Sequence, residues 1–267
     1  MTEPAPHTPS VRYAVADGIA TLTIDQPAKM NAMTFDMWSS VPGLVKKAEE
    51  DRSVRVIVVT GAGDRAFCAG ADISQFGAKR TGEEAVRAYD EAVADGMAAI
   101  HDAAKPTIAV IRGICFGGGC ALALTCDLRF ATADSRFRVP AARLGLGYGF
   151  SSIKMMVKKL GTAAVADILI SARILDAADG ERANVIHRAW PRESFEAEVK
   201  AYLATVAANA PLTLAAIKRS LVELSRPEAD QDAEAVDALV ARCFASADYK
   251  EGQKAFLEKR LPDFRGE

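Results

Sequence analysis

The residues best placed to do chemistry lie in two small-residue turns. One is Ala66-Phe67-Cys68-Ala69-Gly70-Ala71-Asp72, which follows the apolar, β-branched run at 54–60. The other is Gly113-Ile114-Cys115-Phe116-Gly117-Gly118-Gly119-Cys120-Ala121, which follows a similar run at 107–111. Each sits where a buried strand hands over to a loop or a helix. Three consecutive glycines ahead of the apolar residues 121–125 leave main-chain N–H groups bare at a helix start. Such groups, with the positive end of the helix dipole behind them, suit a negative charge or a polarised carbonyl oxygen. Two such turns converging on one point would make an oxyanion hole, whose donors stabilise charge developing on a substrate oxygen. The same residues fit a second reading, as tight turns whose small side chains let strands and helices pack closely. Glycine runs alone do not separate the two.

The motifs in order are Val58-Val59-Thr60-Gly61, the Ala66 to Ile73 turn, Lys105-Pro106-Thr107-Ile108-Ala109-Val110-Ile111-Arg112-Gly113, Gly117-Gly118-Gly119-Cys120, Cys126-Asp127 and Leu144-Gly145. Together they resemble the signature of the crotonase, or enoyl-CoA hydratase/isomerase, superfamily, over about residues 11–264. The resemblance implies an α/β fold with a crotonase-like ββα superhelix core and a helical C-terminal region. It implies an acyl-CoA thioester as ligand, its carbonyl held by the N–H groups of Ala71 and Gly118. Donors of this kind supply roughly 3–4 kcal/mol each to the transition state. The motifs point to a fold and a ligand class more firmly than to one reaction, because one fold hosts many chemistries.

Two positions depart from the family pattern. Hydratases of this family use two glutamates as general acid and base around a water. The first would follow the Gly-Gly-Gly-Cys turn, where this chain has Ala121, and the second would follow Pro140, where it has Ala141. Neither can carry a proton, and general acid–base help is worth roughly 10²–10⁴ in rate. Three readings follow: another residue serves, the reaction is not standard hydration, or the chain only binds its ligand. The position of Tyr148 resembles that of a tyrosine in decarboxylases of the superfamily acting on malonyl-type CoA thioesters, where many hydratases have a proline. A phenol can donate a hydrogen bond to a carboxylate or deliver a proton, and equally can be a half-buried aromatic bonded to a carbonyl. Arg138 and Arg143 could hold a substrate carboxylate, although structural ion pairs are the reading favoured for both. Asp127 is expected to be structural, and Asp72 to cap the turn or helix beside the oxyanion donor.

Coenzyme A contacts follow from the same resemblance. Lys29-Met30-Asn31-Ala32 resembles the loop that meets the adenine and nearby phosphates, which implicates Lys29 and Ala32. Ala69, Asp72 and Ile73 are implied at the acyl-thioester end. Phe256 and Lys259, in Phe256-Leu257-Glu258-Lys259-Arg260, are implied to approach the CoA of a neighbouring subunit, within a homotrimer or a dimer of trimers. For Lys29, Lys259 and Arg260 the alternative is that they are solvated surface cations. No cofactor beyond coenzyme A as part of the substrate is expected.

Composition narrows the field. The chain has 267 residues, half of them hydrophobic and a quarter charged, as in an ordinary globular enzyme subunit. A formal net charge of −2 gives no reason to expect nucleic acid or an anionic membrane as partner. No apolar stretch approaches the ~20 residues of a membrane helix. Three histidines lack neighbours at metal-ligand spacing. Five cysteines form no C-x-x-C pair and sit in apolar surroundings, as small buried hydrophobes do. That odd count and the lack of a secretory signal favour a reducing cytoplasm.

The elements that must position the turns read as follows. Asp17-Gly18 joins strands at 11–16 and 19–24 in a hairpin. Thr34 starts a helix that Pro42 is expected to disturb. Strands at 54–60, 107–111 and 128–131 alternate with helices at 82–103 and after Gly117, which favours partly parallel sheet. No repeat is visible in the residues. Helices are expected at 196–208, 211–224, 229–245 and 248–259. The domain reading is a disordered lead-in over 1–10, an α/β core over 11–193 and a helical oligomerisation region over 194–267.

Overall fold

The computed structural model describes residues 7–72 and 82–267. Strands β1 (Ser10–Ala16) and β2 (Ile19–Asp25) pair antiparallel across Asp17 and Gly18, which have φ of 52° and 77°. These left-handed values are what a tight Asp-Gly hairpin turn requires. In β2 the buried Ala20, Leu22 and Ile24 alternate with half-buried neighbours, so one face of the hairpin meets the core. Helix α1 (Phe35–Glu50) is capped by Thr34, whose hydroxyl accepts the Met37 N–H at 3.2 Å. It runs unbroken through Pro42, contrary to the expected disturbance. Met37, Trp38, Val41 and Val45 are buried on either side of the proline, so tertiary packing outweighs the lost hydrogen bond. Trp38 packs on helix α2 (Glu83–Asp102) at Gly96, where a Cβ would come within 3.1 Å of the indole ring.

From β2 onward the main sheet is parallel. Its order is β1-β2-β3-β5-β7-β9, with β3 at Val56–Gly61, β5 at Thr107–Ile111, β7 at Leu128–Thr132 and β9 at Arg188–Trp190. A second, three-stranded parallel sheet holds β4 (Ala66–Cys68), β6 (Ile114–Phe116) and β8 (Arg136–Arg138). Successive coils of the chain thus place one strand in each sheet: β3 then β4, β5 then β6, β7 then β8. Helix α3 (Gly118–Thr125) follows β6. After β8 come α4 (Phe150–Leu160), α5 (Thr162–Ser171) and α6 (Ala177–Arg182).

Both faces of the main sheet are covered, which is why β3 and β5 read as continuous apolar runs. Ile57, Val59, Ala109 and Ile111 face the larger core with α1, α2 and α3. Their alternates Val56, Val58, Ile108 and Val110 face a smaller core with Phe195, Val199 and Leu203 of helix α7 (Arg192–Ala207). Three further helices complete the chain, α8 (Pro211–Leu224), α9 (Ala233–Ala245) and α10 (Ala247–Glu258). One buried ion pair fastens them to the core. Lys218 of α8, 4% exposed, places Nζ 2.6 Å from the Asp127 carboxylate, which also accepts the Thr107 N–H at 2.8 Å and its hydroxyl at 3.0 Å. Among the described residues no helix is long and apolar enough to cross a membrane.

Candidate active site

The two small-residue turns meet where the short sheet passes into α3. The 70–72 segment is held by the loop that follows β2. Met33 N–H donates to Gly70 O at 2.8 Å, Asp72 N–H donates to Met33 O at 2.9 Å, and Ala69 N–H donates to Met30 O at 3.0 Å. On the other side, Gly117 N–H donates to Arg138 O at 2.7 Å, while the Gly117 carbonyl accepts Cys120 and Ala121 N–H groups. Among the described residues, the amides of Ala71 and Gly118 donate to no protein acceptor.

Two glycines bring these amides together. Gly70 has φ of 107°, and a Cβ on it would sit 3.3 Å from Gly118 N. A side chain there would be strained by its backbone and would occupy the space beside that amide. At Gly119 the reason is contact: a Cβ would lie 2.2 Å from Cys68 O, so only a hydrogen lets α3 seat directly on β4. With α3 seated there, a Cβ position built on Gly118 falls 3.6 Å from Gly70 Cα and 3.8 Å from Ala71 N. Two bare N–H donors, one of them at the first residue of a buried helix, form a compact electropositive corner.

The two positions where family hydratases carry glutamate hold side chains that cannot titrate. Ala121 lies one turn into α3 and Ala141 begins a single 3₁₀ turn, Ala141–Arg143; both are buried. Pro140, which precedes Ala141, packs on the glycine turn, its Cδ 3.9 Å from a Cβ position on Gly117. Tyr148 is half-buried against the larger core, and burial, aided by the nearby Cys120 thiol, pushes its phenol up to about 12. Burial likewise pushes the Cys68 thiol up to about 12, which disfavours the reactive thiolate. Cys120 Sγ donates to Cys115 O at 2.7 Å. Arg138 donates through Nε to Ala172 O at 2.8 Å and joins no ion pair among the described residues, and Arg143 lies exposed.

The other expected ligand contacts are distributed as follows. Lys29 Nζ lies 2.8 Å from Asp72 Oδ2, which Gln26 Nε2 also meets at 3.3 Å. Asp72 therefore fastens the 70–72 segment to the loop after β2. Ala32 presents its carbonyl to Gln26 Nε2 at 2.6 Å, and Ala69 uses its amide as above. Ile73 lies outside the described residues. Phe256 and Lys259 are not brought to this corner within one chain. Phe256 is 84% exposed on α10, where α8, α9 and α10 enclose an apolar groove of about 640 Å³. Lys259 adopts the left-handed conformation that ends α10. Sequence reasoning overlooked Gln26 as a structural centre and named Asn31 only as part of a motif. Their partners lie up to 46 residues away, beyond the reach of local pattern.

The sequence model of the enoyl-CoA hydratase/isomerase family matches residues 14–267. A crotonyl-CoA hydratase from Syntrophomonas wolfei is 30% identical over 246 residues, covering 92% of this chain and 94% of that protein. A short-chain-enoyl-CoA hydratase from Clostridium acetobutylicum is 26% identical, covering 91% and 92%. A crystal structure of an enoyl-CoA hydratase/carnithine racemase from Magnetospirillum magneticum superposes with a TM-score of 0.91 at 32% identity, covering 96% of each chain. Sequence and overall fold agree, and the chain belongs to the enoyl-CoA hydratase/isomerase family.

Proposed function

We propose that this protein binds an acyl-CoA thioester and polarises its carbonyl between the N–H groups of Ala71 and Gly118, so that chemistry passes through an enolate or enolate-like state. The observation that carries this reading is the pair of unspent amides brought together at Gly70 and seated by Gly119. Groups fixed in advance in a buried corner stabilise developing negative charge without having to reorganise during the reaction. Family membership supports coenzyme A as the handle, with Lys29, Ala32, Ala69, Asp72 and Ile73 along its route. No further cofactor is needed.

Alanine at 121 and 141 leaves the two positions where family hydratases carry glutamate without a proton carrier. One specific observation favours decarboxylation of a malonyl-type CoA thioester as a second reading. Tyr148 packs half-buried against the core that includes Cys120 and Ala141, with a phenol that can donate. In that reaction the carboxylate leaves as carbon dioxide, its bonding pair moves into the enolate, and a proton returns to carbon; a phenol can orient the carboxylate or supply that proton. A non-catalytic acyl-CoA binder is the remaining reading. Exposed Phe244, Phe256, Leu257 and Leu261 support self-association through the C-terminal helices, as a trimer or a dimer of trimers, with Phe256 and Lys259 reaching a neighbour's ligand. The proposed compartment is the cytoplasm.

Three measurements separate these readings. Loss of enoyl absorbance from crotonyl-CoA, with 3-hydroxyacyl-CoA as product, would mean hydration without the glutamates. Carbon dioxide release from a malonyl-type thioester, lowered in Tyr148→Phe with CoA binding intact, would identify the decarboxylase. Binding without turnover on hydratase, isomerase, decarboxylase and thioesterase substrates would leave the binder and overturn the catalytic proposal.

A further inference from the structure

The geometry points to Asn31 as the residue that positions the Ala71 donor, an inference that rests on the oxyanion-hole reading above. Asn31 is 1% exposed and has φ of 56°, a left-handed conformation that asparagine tolerates better than most residues. Its carboxamide is fully employed. Oδ1 accepts the Gln26 N–H at 3.1 Å, and Nδ2 donates to Ala62 O at 3.0 Å and Ala66 O at 2.7 Å. One side chain therefore joins the exit of β2, the exit of β3 and the first residue of β4. Its own N–H donates to Gln26 O at 2.9 Å, closing the loop on itself.

The neighbours of Asn31 in the chain grip the proposed donor. Met30 O holds Ala69, and Met33 pairs with Gly70 and Asp72 on either side of Ala71. Every amide from 69 to 72 except that of Ala71 is thereby spent: Gly70 N–H lies 3.4 Å from Cys68 Sγ, and the others donate to the loop. The direction of the Ala71 N–H is set by this pairing, and the location of the pairing by the Asn31 carboxamide. Asn31 touches no substrate in this scheme; it acts through the main chain. Misplacing an oxyanion donor by about 1 Å costs on the order of a hundredfold in rate.

Asn31→Gly tests this directly, since glycine accepts the left-handed backbone while the carboxamide is lost along with its Cβ. Asn31→Asp is the companion. It keeps the acceptor for Gln26 and loses the donor to Ala62 and Ala66. The readout is the carbonyl stretch of butyryl-CoA, isotope-labelled at the thioester carbonyl, bound to the protein in difference infrared spectra. Binding affinity and the thermal midpoint are measured alongside. The expected result is a stretch shifted to lower frequency in the wild type and a smaller shift in either folded variant, with butyryl-CoA still bound. Any activity found should fall roughly tenfold to a hundredfold, mostly in kcat rather than KM. A folded variant that keeps the wild-type shift while its thermal midpoint drops shows Asn31 to be merely structural and overturns the inference. If the bound thioester in the wild type shows no shift at all, the oxyanion-hole reading itself fails, and this inference with it.

Discussion

Gly119→Ala is the change whose effect the geometry specifies most fully. The added methyl would stand 2.2 Å from Cys68 O and 2.9 Å from both Cys68 C and Cys68 Cβ. The two nearest obstacles are main-chain atoms, so no rotamer change relieves the overlap. Restoring ordinary contact requires α3 and β4 to separate by about 1 Å, in a region where Cys68, Cys115 and Phe67 are completely buried. Overpacking of a dense core typically costs 1–3 kcal/mol. The rigid surroundings place this case at the upper end, about 3 kcal/mol, which for a chain of this size corresponds to a thermal midpoint lowered by roughly 6–12 °C. The same separation moves Gly118 N–H away from Ala71 N–H, so thioester polarisation should weaken well below the unfolding temperature. Circular dichroism melts and the infrared shift of bound butyryl-CoA measure the two effects on one sample. A midpoint within about 2 °C of wild type, together with an unchanged carbonyl shift, would refute the argument that α3 must rest on bare main chain.

Further outcomes are expected elsewhere. Lys218→Met should cost about 3 kcal/mol in urea unfolding, because it leaves the Asp127 carboxylate without its cation, and Lys218→Met/Asp127→Asn should recover part of that loss. The Tyr148 phenol is raised from 10.0 to about 12 in the folded chain, so its contribution to stability is intact below pH 10 and is lost as pH rises from there through about 12. Ultraviolet titration of wild type against Tyr148→Phe should show the missing phenolate transition in that upper window. Thiol reagents should label Cys243 quickly in the native protein and the buried Cys68, Cys115, Cys120 and Cys126 only on unfolding; fast native labelling of Cys68 would contradict its packing.

Much of the frame was legible because local signals agreed with tertiary demand. Asp17-Gly18 marked the hairpin, residues 107–111 matched β5, and Pro211 marked the first residue of α8. The second sheet was not legible, since its three-residue strands are too short for any periodicity to develop. That sheet is also what reveals the repeat of two strands per coil. Pro42 misled because its local cost is smaller than what packing of α1 against α2 returns. Helices α4 to α6 escaped notice behind the glycine-rich segment at 145–149. At the site, the glycine turns were visible as residues, but their meeting was not: Gly119 and Cys68 touch across 51 positions, and Asn31 reaches Ala66 across 35.

The order of strands in the main sheet has a consequence for synthesis. Each strand from β2 to β9 adds beside the one made before it, so the coil can grow by accretion as the chain leaves the ribosome. Until β7 has emerged, β5 presents an unpaired edge built from five buried residues, Thr107 to Ile111. At a translation rate of about 5–20 residues per second, that edge stays open for a second or more. Such an edge is a template for wrong partners. Slowed translation between β5 and β7 should therefore lower the yield of native protein more than an equal delay after β9.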